Sequence, residues 1–271
     1  MRPCTPNKYS HYIEINEIFE CKHNNRLSED QINLNEIFLY RKNLCNFYIT
    51  NNGTKLFFLR HNKTITNKDI AKSIINSALG YCLYQMNHNV LHASAIEHND
   101  KAVLFLGSSG SGKSSIAASF NKKLITEDVA CIENINNKFF IRNGTPFVKL
   151  NDKVANLFKL KKFAEISNDR LGRDLYFINK SSKKTIEIKS IYFLSWGAKF
   201  NIKELNTMET IACFLTNTYS AFPYNSCIES SKISMSFIEK ITMSHKIFLI
   251  ERNKDFLFNS NKDILDHIEL N

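Results

Sequence analysis

Val103-Leu104-Phe105-Leu106-Gly107-Ser108-Ser109-Gly110-Ser111-Gly112-Lys113-Ser114-Ser115-Ile116-Ala117-Ala118 is the stretch on which the reading of this chain turns. Four apolar residues predict the end of a strand, Gly107 to Ser114 fit G-x-x-x-x-G-K-[ST], and helix formers follow. Glycines let the backbone turn tightly enough for successive N–H groups to point inward at an anion. The helix behind them turns its positive end to the same place. A triphosphate fits such a cradle. Gly107, Ser108, Ser109, Gly110, Ser111, Gly112, Lys113, Ser114 and Ser115 are therefore candidate nucleotide-binding residues. Lys113 would neutralise the triphosphate's β and γ oxygens, and the Ser114 hydroxyl would ligate Mg²⁺. The competing reading is a surface turn rich in serine and glycine. The loop alone does not separate a kinase from a hydrolysing motor or a switch.

Working outward, Glu127-Asp128 follows soon after Lys113, behind Leu124-Ile125 and ahead of Val129, Ala130 and Ile132. So short a return leaves room for two or three helical turns, so the acidic pair is expected on a strand next to the loop. One carboxylate could then orient Mg²⁺ while the other accepts a proton from an attacking hydroxyl. A solvated acidic turn is the alternative. On the other side, His92 stands within Leu91-His92-Ala93-Ser94, on the strand before the loop. Either it is a hydrogen-bonded core histidine, or it reaches the phosphate pocket and hydrogen-bonds the acidic pair or a phosphate.

The order His92-Ala-Ser, strand, Gly107-Ser-Ser-Gly-Ser-Gly-Lys-Ser114, short helix, Leu124-Ile-Thr-Glu-Asp128-Val resembles the catalytic domain of HPr kinase/phosphorylase and its relatives. The resemblance spans about residues 90–133. It implies a P-loop kinase body using ATP and Mg²⁺, with Lys113 on the phosphate lysine, Ser114 on the metal-ligating hydroxyl, His92 on the active-site histidine and Asp128 on the proton acceptor. Glu127 stands where the family has an aspartate, one methylene shorter. The glutamate–arginine–glycine stretch that supplies a further metal carboxylate in those kinases has no counterpart; the chain reads Asn143-Gly144-Thr145-Pro146-Phe147-Val148-Lys149-Leu150. The bifunctional phosphorylase activity is therefore not carried over. That segment and Ile247-Phe-Leu-Ile-Glu-Arg252 look more like the smaller relatives in peptide-modification clusters, some of which phosphorylate a serine of a lasso-peptide precursor. Relatives often assemble, which leaves a homo-oligomer open.

Residues 1–64 alternate apolar and polar in short runs, Tyr12 to Ile15, Ile37 to Tyr40 and Phe47 to Thr50, with Asn51-Asn52-Gly53 as a hairpin turn before Lys55 to Leu59. The period of two predicts a small β unit. From Thr66, a plausible N-cap, Ile70, Ile74, Ala78, Cys82 and Met86, with Ala71, Ile75, Leu79 and Leu83 beside them, form one helical stripe. This helix is expected to join the β unit to a catalytic body over 65–271. Strands are predicted over Val90 to Glu97, Lys101 to Leu106, Val129 to Glu133, Phe139 to Arg142, Ile191 to Leu194 and Ile247 to Glu251. Helices are predicted near Asp152 to Leu160, Met208 to Thr218, Ser234 to Met243 and Lys262 to Glu269. The mixture has no regular βαβ beat, so an α/β body with a mixed sheet is expected.

Composition narrows the function. Of 271 residues, 43% are hydrophobic and 23% charged, which excludes wholesale disorder and collagen. No apolar run approaches the ~20 residues of a membrane span, and no signal peptide is visible, so no membrane partner is expected and the chain is placed in the cytoplasm. Cys4, Cys21, Cys45, Cys82, Cys131, Cys213 and Cys227 never form a C-x-x-C pair, and read as reduced thiols. Lys and Arg outnumber Asp and Glu by 36 to 26, a net +10 that favours anionic partners. Lys159, Lys161, Lys162, Arg170 and Arg173 form a modest cluster, with a solvated face as its plainer reading. The leading expectation is an ATP-dependent kinase acting on a serine hydroxyl of a peptide or small protein. A nucleotide-driven ATPase or switch and a small-molecule hydroxyl kinase are the alternatives, and nucleic acid is suggested by charge alone.

Overall fold

In the computed structural model, which describes residues 13–18, 30–32, 36–120, 122–166, 172–219, 228–253 and 261–270, the N-terminal alternation folds as a five-stranded sheet. Its strands are β1 (Glu14–Glu17), β2 (Gln31–Ile32), β3 (Ile37–Arg41), β4 (Cys45–Thr50) and β5 (Lys55–Arg60), ordered β1-β5-β4-β3-β2. β2 through β5 pair antiparallel, and β1 adds parallel to β5. Asn51, Asn52 and Gly53 all take positive φ in the turn between β4 and β5. Gly53 is required twice over: a Cβ there would stand 2.1 Å from the Cys82 carbonyl oxygen. The hairpin tip thus presses on the helix that follows. Tyr12, expected in the first strand, lies outside the described residues, and β2 was not expected.

That helix is not one continuous α-helix. Thr66 and Asp69 form a reciprocal capping box at the start of α1 (Asn67–Ser73), a π-helical turn spans Ile74–Ala78, and α2 (Leu79–Gln85) completes it. The spacing Ile70, Ile74, Ala78, Cys82 explains the interruption. Steps of four drift by about 40° each on an α-helix of 3.6 residues per turn, and a wider turn takes up the drift. Ile70, Ala78 and Cys82 thereby stay in one core with Leu39, Phe47, Ile49 and Leu56 of the sheet, whereas Ala71, assigned to the stripe, is exposed. Deleting residues 1–64 would uncover this face, and we expect the remainder to aggregate on expression. A soluble, active fragment beginning near Val90 would contradict that.

The body continues with β6 (Asn89–Leu91), β7 (Ala93–His98), β8 (Lys101–Leu106), α3 (Lys113–Ser119), β9 (Lys123–Thr126), β10 (Ala130–Ile135), β11 (Lys138–Arg142), β12 (Phe147–Leu150), α4 (Asp152–Leu157), β13 (Lys161–Ala164) and β14 (Asp174–Phe177). It ends with β15 (Thr185–Trp196), β16 (Asn201–Glu204), α5 (Thr207–Leu215), α6 (Ile228–Ser244), β17 (Ile247–Arg252) and α7 (Asn261–Leu270). The main sheet runs β6-β10-β11-β15-β8-β7-β9, with β17 and then β16 added beside β15. β15 holds it together: Thr185–Glu187 pair with β11, and residues from Ile188 onward lie between β8 and β17. β8, β15 and β17 are parallel and their neighbours antiparallel, so this is the mixed α/β fold expected.

Alternation along the parallel strands sends side chains to two cores. Leu104, Leu106, Ile191, Phe193 and Ile247 meet Phe214, Phe237 and Ile241 on one face. On the other, Val103, Phe105, Tyr192 and Ile250 meet Ile116 and Phe120 and, from α7, Ile264 and Ile268. Each buried Leu, Ile or Phe contributes roughly 1.5–3 kcal/mol, and together they fix the strand ends at which the phosphate loop begins. Three strands, β12-β14-β13, form a separate sheet that sequence periodicity did not predict. Among the described residues no helix is long and apolar enough to cross a membrane.

Candidate functional site

The loop from Gly107 to Gly112 springs from the C-terminal end of β8, the edge where open α/β sheets bind ligands. Gly107, Gly110 and Gly112 take φ of 143°, 82° and 86°, conformations that leave successive loop amides free to converge. The N–H groups of Lys113, Ser114 and Ser115, in the first turn of α3, have no intrahelical partner. Lys113 is 5% exposed. Its Nζ donates to the loop's own carbonyls, Gly107 at 2.7 Å and Ser108 at 3.2 Å. Burial lowers its pKa, opposed by the charges of Glu127 and Asp128. The ammonium is thus buried against weak acceptors that a phosphate oxygen would readily replace.

Two long-range ties, neither foreseen from sequence, hold the loop. Asn217, just past α5, accepts the Gly107 N–H on Oδ1 at 3.0 Å, and its own carbonyl takes the His92 N–H at 2.7 Å. Behind the loop, Trp196 and Arg252 end β15 and β17 in register. Trp196 Nε1 donates to the Gly110 carbonyl at 3.1 Å, and Arg252 Nη2 to the Ser111 carbonyl at 2.6 Å, with the guanidinium 5.0 Å over the Trp196 ring. Arg252 is fully buried, and burial lowers its pKa to about 10. Fixing those carbonyls rearward directs the neighbouring amides forward.

A Cβ on Gly112 would stand 2.5 Å from Arg252 Nη2. Gly112→Ala should therefore weaken nucleotide binding, and the left-handed backbone alone should cost about 1–2 kcal/mol of stability. A double-mutant cycle with Arg252→Ala should show strong coupling. Purely additive losses by calorimetry would mean the two do not act on each other.

The acidic pair departs from expectation in position but not in neighbours. It occupies the bend after β9, not a strand, and β7 separates β9 from β8. The Val129 N–H closes on the Glu127 carbonyl at 2.7 Å with Asp128 at φ 61°, a strained γ-turn. Glu127 accepts from both Ser114 Oγ and Ser94 Oγ. Burial, then the charge of Asp128, raises its pKa. Asp128 Oδ1 meets His92 Nε2 at 3.2 Å and Oδ2 pairs with Lys149. Burial pushes the Asp128 carboxyl up, but Lys149 and His92 outweigh it and hold it well below the usual carboxylate range. The predicted strand Val90 to Glu97 is broken at His92, because the Asn217 carbonyl captures its N–H and frees the imidazole for Asp128.

His92, Lys113, Ser114, Asp128, Lys149 and Asn217 border one cavity of about 530 Å³. Of the residues singled out in the sequence, Ser109, Gly110, Gly112, Lys113, Ser114, Ser115, His92 and Asp128 line it, and Gly107, Ser108, Ser111 and Glu127 do not. Glu127 sits behind Ser114. Arg41, Ser77, Tyr81, Lys149, Arg173, Asn217 and Tyr219 line it without having been foreseen as site residues. The basic cluster divides: Lys162 is paired with Asp152 and Asp174 at 3.0 and 2.7 Å, Arg173 reaches the cavity, and Arg170 lies outside the described residues. Cys45, Cys82 and Cys131 are buried, with thiols pushed up to about 12, 12 and 11, inert as read. Cys213 is half-buried, and Cys4, Cys21 and Cys227 lie outside the described residues.

Among the described residues, no group of three His, Cys, Asp or Glu side chains could hold a metal ion. Ser114 and Glu127 supply two hard oxygen ligands side by side, the set Mg²⁺ accepts when phosphates and water complete its shell. The residues therefore fit both a triphosphate and its magnesium.

Residues 63–159 match the family model of phosphoenolpyruvate carboxykinase. That segment contains His92, the loop, the acidic pair and Lys149. The HPr(Ser) kinase/phosphatase from Coxiella burnetii, a solved structure, is similar over 66% of this chain and 95% of its own, at 11% identity and a TM-score of 0.34. No curated protein matches.

Proposed function

We propose that the chain is an ATP-dependent kinase that transfers the γ-phosphoryl group to a hydroxyl, the serine of a peptide or small protein such as a ribosomal peptide precursor. The observation that carries this reading is Asp128: a carboxylate held ionised by Lys149 and His92, on the wall of the cavity that the phosphate loop also borders. A hydroxyl that attacks the γ-phosphorus must give up its proton, and Asp128 on the cavity wall is the carboxylate placed to take it. Asp128 accepts the hydroxyl proton while His92 keeps the carboxylate aimed. Lys113, now on its own loop's carbonyls, would hold phosphate oxygens, and Ser114 with Glu127 would hold the metal. ATP with Mg²⁺ supplies, when bound, the transferable group and the charge that activates it. Ordering by Asn217 and Arg252 leaves little loop reorganisation for the moment of transfer.

The test is incubation with labelled ATP and a panel of acceptors: peptides encoded beside the gene, unrelated serine peptides and small hydroxyl compounds. Label on a serine supports the reading. Rapid ATP turnover with label only in free phosphate would move the assignment to an ATPase or switch that drives a partner.

A further inference from the structure

The cavity has two dissimilar sides. The charges acting on Lys113 include Lys149 and Arg173, which places Arg173 with the phosphate loop. The Tyr219 phenol feels Asp128, Tyr81 and Arg41. Tyr219 donates to the Asp128 carbonyl at 3.3 Å, and its ring meets Tyr81 edge-on at 5.3 Å. A molecule whose hydroxyl sits at Asp128 therefore has these tyrosines beside it and Arg41 beyond them. Arg41 comes from β3, outside the segment that carries the phosphate loop, and Ser77 and Tyr81 come from the π-helical turn and α2. Such turns often mark functional sites.

Arg41 is held in place for this position. Nη1 pairs with the Asp30 carboxylate at 2.9 and 3.1 Å and with the Tyr40 carbonyl at 3.0 Å, while Nε and Nη2 share the Ser77 hydroxyl at 3.4 and 3.3 Å. A guanidinium has five N–H donors. One on Nη2 has no acceptor among the described residues, and the side chain is 24% exposed. Asp30 thus orients the group through one edge and leaves another edge for a second anion, with the side-chain entropy already spent.

We infer that Arg41 is the acceptor's specificity contact, and that the acceptor carries an anionic group, a carboxylate or phosphate, close to the hydroxyl that is phosphorylated. This rests on the kinase reading above. It gives the N-terminal β unit a share in the site: the phosphate loop and Arg173 hold the donor, and β3 with the π-helical turn selects what receives it.

The experiment uses the full chain, labelled ATP, and two sets of probes. One is a serine-peptide library with acidic residues, or their amides, at each flanking position; the other is small hydroxy acids beside the matching hydroxy amides. Wild type should prefer the acidic member of a pair in whichever set is phosphorylated, which also tells a peptide from a small-molecule acceptor. Arg41→Gln should raise KM for that acceptor roughly 10–100-fold, with a much smaller change in KM for ATP. Arg41→Lys should recover part of the loss. Arg41→Glu should turn the preference toward basic neighbours, a change that simple misfolding cannot produce. Label transfer with one and the same preference in wild type and all Arg41 variants would overturn the inference and leave the kinase reading standing. ATP turnover with no label on either set would overturn both.

Discussion

Asp128→Asn should still bind nucleotide but transfer the phosphoryl group roughly 10²–10⁴ times more slowly. Asn suits this test because Asp128 sits at φ 61°, a conformation that Asn tolerates better than most residues. The backbone turn should survive while the proton acceptor is lost. Lys149, no longer neutralised, would then turn to phosphate, so affinity for ATP should rise. Single-turnover kinetics with labelled ATP reads the step directly. Glu127→Gln serves as the contrast: its carboxylate faces Ser114, so its defect should shrink as Mg²⁺ is raised, and that of Asp128→Asn should not. His92→Ala, which loosens the aim of Asp128 and removes one of the two groups that hold it ionised, should fall between. A near wild-type transfer rate in Asp128→Asn would end the proposed mechanism.

Lys113→Ala should cost about 10²–10³ in turnover and most of the nucleotide affinity, with the fold preserved because the ammonium's hydrogen bonds among the described residues go to the Gly107 and Ser108 carbonyls of its own loop. Calorimetric titration with ATP–Mg²⁺, beside a thermal melt, separates loss of binding from loss of structure. Unchanged affinity would remove the phosphate-loop assignment altogether.

What could be read from sequence was what the chain keeps local. The strand, loop and α3 are contiguous, so the period change and the glycines sufficed, and Glu127-Asp128 returns after a single short helix. His92 was legible only as an alternative, because the break that frees it depends on Asn217. Arg252 and Ser111 are 141 residues apart, and Gly107 and Asn217 are 110. No spacing rule connects them. Asn217 reads as an ordinary helix end after α5, Arg252 as a charge closing a strand, and Lys149 as one polar residue among apolar neighbours. The π-helical turn did leave a trace, the repeated step of four from Ile70 to Cys82, which was read as a plain helical stripe.

The same distances set an order of events during synthesis. Every residue of the phosphate loop has been made once Ser115 is in place, yet its first amide waits for Asn217 and its rear carbonyl for Arg252. A nascent chain on the ribosome therefore carries the whole motif, without the contacts that shape it, until synthesis has passed Asn217 and then Arg252. Competence to bind nucleotide then waits on Arg252, so nascent chains that have not reached it should neither sequester ATP nor waste it.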